Sequence, residues 1–83
     1  MLIPFPGANP ADAAVGARLR SWRERRGLEA GDLARDMRVS AEELNRAEHG
    51  RAHLNSAQLY AATLALHIPM RLLFEDAGPR GRA

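Results

Sequence analysis

The chain has 83 residues, no cysteine, and 12 basic residues, all arginine, against 10 acids, for a formal charge of +2. That length holds one small domain with a modest core, and without thiols it has neither disulfide staples nor thiolate metal sites, so stability must come from helix packing or association. No apolar run approaches the ~18 residues of a membrane span, and the opening MLIPFPG lacks the basic and long apolar regions of a signal peptide, so a cytoplasmic protein is expected. A charge this near balance says little about phosphate binding, which depends on where each arginine sits.

Residues 1–9 carry Pro4, Pro6 and Gly7 without periodicity, and are expected to form an irregular arm. Its apolar members Leu2, Ile3 and Phe5 would rest on the domain or on a second subunit, and it has no basic residue to read a minor groove. The first helix starts at Asn9-Pro10-Ala11-Asp12, with Asn9 as N-cap, Pro10 at the first helical position and Asp12 at the positive end of the dipole. It runs to about Arg26, with Val15, Leu19 and Trp22 as its buried stripe.

The stretch from Gly27 to Gly50 reads as two short helices joined by a tight turn. The first runs from about Ala30 to Met37 on the apolar residues Leu33, Ala34 and Met37. The second opens at Ser40, where Ser40 and Glu43 have capping-box spacing, and closes at Gly50 as a left-handed C-cap. Leu44, Ala47 and Glu48 face inward, and Ala41, Glu42, Asn45, Arg46 and His49 share the opposite side. A polar helix held by its back against a partner about three residues away is the helix-turn-helix arrangement, whose second helix enters a DNA major groove.

Asn55, with Gln58 three residues on, caps a fourth helix over about Ser56 to Leu66 that buries Leu59, Ala62, Thr63 and Leu66. A fifth helix is expected after Pro69, with Met70, Leu73 and Phe74 inward. Tyr60, Leu64, Ile68 and Leu72 then align as an exposed apolar patch suited to a homodimer, unless the arm covers it. These boundaries give an arm over 1–9, a domain over 10–76 and a short tail over 77–83.

The segments VGARLRSWRERRGL, LARDMRVS, AEHGR, SAQLYAATLALHI and RLLF, in this order and spacing, resemble the Cro/C1-type, or Xre-type, helix-turn-helix regulators of bacteria and phages, from roughly Val15 to Phe74. The resemblance implies an all-α, compact five-helix, lambda-repressor-like DNA-binding domain with no cofactor, acting as a sequence-specific regulator of transcription. A repressor that occupies an inverted repeat of double-stranded DNA as a homodimer is the simplest form. By resemblance Ala41, Glu42, Asn45 and Arg46 reach base edges: arginine suits guanine, asparagine adenine, glutamate cytosine and alanine a thymine methyl. Arg38, His49, Arg51 and His53 fall on the phosphate side, and Arg23 pairs with Glu48 to lock the first helix to the third. Two positions depart from the family pattern. Ala30 stands where a phosphate-binding glutamine is usual, and Arg38 where the turn commonly has glycine; if the turn keeps φ > 0 there, a side chain costs about 1 kcal/mol.

Other assignments compete for the same residues. Glu42 and Arg46 have the i, i+4 order of an intrahelical ion pair. His49 and His53 have a metal-like spacing, but Gly50 ends the helix between them, and no metal site is expected. A protein-interaction module on the same scaffold, such as an antitoxin or co-regulator, is motivated by Ala30 and by the acids Glu29, Asp32, Glu42 and Glu43. An enzyme is disfavoured: the chain has no cysteine, no serine with a base nearby and no glycine-rich phosphate loop.

Overall fold

A computed structural model describes residues 10–75; the arm over 1–9, its cap Asn9 and the tail over 77–83 lie outside the described residues. Four α-helices follow one another, α1 (Pro10–Arg25), α2 (Ala30–Met37), α3 (Ala41–Glu48) and α4 (Ser56–Leu66), and a short 3-10 helix, Met70–Leu73, closes the fold. Among the described residues there is no strand. None of the helices is long and apolar enough to cross a membrane.

Five leucines, Leu19, Leu33, Leu44, Leu66 and Leu73, are fully buried, and each comes from a different one of these five elements. The core is thus a single cluster to which every element contributes an anchor, each worth about 1.5–3 kcal/mol of burial. Val15 and Trp22 pack at its edge, only partly buried. Where α1 crosses α3 the backbones nearly touch: a Cβ added at Gly16 would fall on the carbonyl oxygen of Ala47.

The fifth helix expected from the sequence is only four residues of 3-10 helix, between extended Pro69 and Phe74 at φ −114°. A segment this short makes too few bonds to offset helix nucleation and settles into the tighter turn. That turn directs Leu73 into the core and leaves Phe74 outside, 55% exposed, where an inward position was expected. Ile68 is corrected in the opposite sense. It is 8% exposed, a core residue and not part of a surface patch, because α4 stops at Leu66 and His67 takes the left-handed conformation (φ 59°), which breaks the run from Leu64. Leu72 is likewise partly buried against the core.

Arg26 secures that corner. Its Nε donates to the carbonyl oxygen of Leu66 at 2.8 Å, satisfying one of the orphan acceptors at the end of α4. The guanidinium groups of Arg25 and Arg26 lie 4.8 and 5.5 Å from the centroid of the Trp22 ring. The end of α1 is thereby fastened to the end of α4.

Candidate nucleic-acid interface

The helix pair α2 and α3 is joined by Arg38, Val39 and Ser40. Arg38 adopts φ 62°, ψ 39°, and its N–H bonds back to Arg35 O at 3.1 Å while Val39 N–H bonds to Ala34 O at 3.0 Å. The left-handed residue turns the chain sharply, and its side chain leaves at the surface. Ser40 then starts α3, its hydroxyl accepting from Glu43 N–H at 2.9 Å. At the far end His49 is the C-cap and Gly50 has φ 75°. A Cβ on Gly50 would sit 3.0 Å from that of Ala13, so both conformation and space call for glycine there.

Within α3, Leu44, Ala47 and Glu48 are buried and Ala41, Glu42, Asn45 and Arg46 are exposed. The orientation is enforced from behind. Arg23 Nε donates to Glu48 Oε2 at 2.8 Å, Arg23 Nη2 to Glu48 Oε1 at 3.1 Å, and Arg23 Nη1 to the carbonyl of Leu28 at 2.9 Å. The side chains are only 14% and 2% exposed. The hydrogen bonds to Glu48 hold the Arg23 guanidinium pKa above its ordinary value despite burial.

Among the described residues the arginines divide into two sets, and Arg18 belongs with those engaged within the protein. Arg20 pairs with Glu24, Arg23 with Glu48, Arg35 with Asp32 and Arg71 with Glu75; Arg25 and Arg26 lie on Trp22, and Arg26 also caps α4. By contrast Arg38, Arg46 and Arg51 are exposed, and among the described residues no hydrogen bond or ion pair holds their side chains. These three stand just before α3, on its outward face and just after it. The Glu42–Arg46 pair suggested by spacing does not form. The equally exposed Arg20–Glu24 pair at the same spacing does form, so spacing alone does not decide which arginines are engaged.

The two histidines after α3 are engaged inward. His49 Nδ1 is 2.8 Å from the carbonyl oxygen of Asn45, and His53 Nδ1 is 2.9 Å from Asp12 Oδ1 in the first turn of α1. Asp12 was missed as a partner because it lies 41 residues away and its place at a helix start already explains it locally. Beneath His53 is a cavity of about 150 Å³ lined by Asp12, Val15, Ala47, Leu54 and Phe74, among others. Among the described residues no group of three or more His, Cys, Asp or Glu is placed to hold a metal ion.

At the start of α2, Glu29 makes no side-chain cap hydrogen bond and Ala30 packs against the core. On α4, Tyr60 and Leu64 are 57% and 59% exposed, the part of the expected patch that remains at the surface.

Residues 14–67 match the family model of the helix-turn-helix domain. A transcriptional regulator from the ATPase CF(0) region of Rhodospirillum rubrum is 35% identical over 65 residues, 78% of this chain and 60% of that protein. An HTH-type transcriptional regulator of Sinorhizobium medicae is 28% identical over 69 residues, 83% of this chain and 50% of that protein, so the chain spans little more than half the length of these relatives. Among solved structures, the clp gene regulator ClgR from Corynebacterium glutamicum superposes with a TM-score of 0.75 at 32% identity, over 80% of this chain and 70% of that one. The restriction-modification controller protein C.AhdI from Aeromonas hydrophila gives 0.71 at 27% identity, over 76% of this chain and 96% of that one.

Proposed function

Because the chain belongs to the helix-turn-helix family of transcriptional regulators, of the Cro/C1 (Xre) type, we propose that it binds double-stranded DNA sequence-specifically, with α3 in the major groove. The observation that carries this is the distribution of arginines. Arg20, Arg23, Arg26, Arg35 and Arg71 have partners within the protein, whereas Arg38, Arg46 and Arg51 around α3 have none among the described residues. Unpartnered, exposed arginines are available to phosphates and base edges without first breaking an internal contact.

In this reading Arg46 and Asn45 donate to base edges, Ala41 meets a thymine methyl, and Glu42 admits a cytosine and rejects other bases by repulsion. Arg38 and Arg51 contact phosphate on either side of the helix, with His49 and His53. The protein acts as a cytoplasmic repressor on an inverted repeat, as a homodimer that uses the exposed Tyr60 and Leu64 of α4. Two recognition helices then lie ~34 Å apart, one turn of DNA.

The test is selection from a random duplex pool at near-physiological salt, followed by affinity measurements across a salt series. A palindromic motif bound about 1000-fold or more above non-specific DNA supports the proposal. The exposed acids Glu29, Asp32 and Glu42 favour a second reading, a protein-interaction module such as an antitoxin or co-regulator. Absence of any enriched motif selects that one.

A further inference from the structure

Both histidines after α3 have Nδ1 tied to a group that can only accept. For His49 it is the carbonyl oxygen of Asn45, at 2.8 Å, and for His53 it is Oδ1 of Asp12, at 2.9 Å. A carbonyl oxygen carries no proton and an ionised carboxylate carries none, so in each ring the hydrogen sits on Nδ1. The consequence falls on the other nitrogen. A neutral imidazole with its one hydrogen on Nδ1 presents a lone pair at Nε2, which repels a phosphate oxygen. Only the doubly protonated ring keeps its inward bond and also donates outward.

Resting on the DNA-binding reading above, we propose that DNA binding by this chain takes up protons at His49 and His53. Each ring accepts one proton from solvent at Nε2 and donates that N–H to a phosphate oxygen, and no bond between heavy atoms changes. Around His53, α1 supplies the Asp12 carboxylate, 11% exposed, while the imidazole is 64% exposed. The rest of the cavity wall beside it, from α1, α3, the loop, α4 and Phe74, is apolar or glycine, and among the described residues Asp12 is its only other titratable residue. His49 is the C-cap of α3, beside the carbonyls of its last turn. Of its charged sequence neighbours, Glu48 is turned inward to Arg23, and Arg46 and Arg51 are themselves exposed. The third histidine, His67, ends α4, away from this loop, and serves as an internal control.

The experiment measures affinity of the full chain for its selected duplex at fixed salt from about pH 5 to about pH 8, the range in which histidine changes charge. Affinity is expected to fall as pH rises, by about tenfold or more over the range, since the bound state holds more protons than the free one. His49→Gln and His53→Gln should each remove part of the dependence, and the double variant should reduce it to under about twofold, while His67→Gln leaves it intact. Nitrogen NMR of the free protein at the upper pH should find both rings in the Nδ1–H form. Tight binding that ignores pH, or rings found in the Nε2–H form, overturns the proton coupling and leaves the DNA-binding reading standing. Failure to bind any duplex at any pH overturns both.

Discussion

Arg23 on α1 holds Glu48 on α3 through two nitrogens and two oxygens, at 2.8 and 3.1 Å, with both side chains nearly out of water. Glu48 belongs to the buried side of the helix whose other side carries Glu42, Asn45 and Arg46, so this pair sets the rotation of α3 about its own axis. Breaking it from one side strands the other charge. Arg23→Met or Glu48→Leu alone should cost about 3–5 kcal/mol, whereas the double substitution should recover most of the loss. Urea unfolding of the four proteins checks this, and simple additivity of the two losses would sink it.

The crossing of α1 over α3 gives a second stability prediction. A methyl group at Gly16 has nowhere to go but into the Ala47 carbonyl, which is backbone and cannot rotate away. Gly16→Ala should therefore push the helices apart and destabilise by about 1–3 kcal/mol or more, although alanine is the better helix former. Gly31, with open space at its Cβ, is the control: Gly31→Ala in α2 should be neutral or stabilising. In thermal melts Gly16→Ala should lower the midpoint and Gly31→Ala should leave it unchanged or raise it.

These cases mark where sequence reasoning reaches and where it stops. The limits of α2, α3 and α4 follow from signals within a few residues: the caps Ser40 and Asn55, the left-handed Gly50, and apolar spacing. The left-handed turn at Arg38 was raised only by resemblance, as a condition at a position where the family commonly has glycine, and no local signal in the sequence required it. Arg23 and Glu48 were paired by resemblance, not by spacing. Gly16 gave no local sign of its role, since a glycine within a helical pattern does not declare what crosses it. Arg26 at the end of α4 and Asp12 beside His53 depend on contacts 40 and 41 residues apart, for which no periodicity exists. Ile68 was misplaced because a helical wheel was carried past Leu66, where His67 had already changed the direction of the chain, and Phe74 because the segment after Pro69 is a four-residue 3-10 turn.

Arg38 separates stability from function. Its φ of 62° is strained for a residue with a Cβ and relaxed for glycine. Arg38→Gly should therefore leave stability unchanged or raise it by up to about 1 kcal/mol, the relief being partly offset by the freer unfolded chain. If Arg38 contacts phosphate, the same substitution should weaken binding to all sequences alike. A more stable protein that binds DNA less well is the expected outcome, read by chemical denaturation and by titration with specific and non-specific duplexes. Unchanged affinity would remove Arg38 from the interface.

Arg46 and Arg51 are both exposed and unpartnered among the described residues, yet they stand in different places, one on the outward face of α3 and one beyond its end. A base contact carries sequence information and a phosphate contact does not. Arg46→Ala should relax preference at one position of each half-site, at a cost of about 1–3 kcal/mol against the best sequence and little against non-specific DNA. Arg51→Ala should leave the preferred sequence intact, weaken specific and non-specific binding together, and lower the slope of log affinity against log salt by about one. Repeating the pool selection with each variant distinguishes the roles. If both variants shift the salt slope and neither shifts the motif, α3 does not read bases through Arg46, and recognition must lie with Asn45 and Glu42.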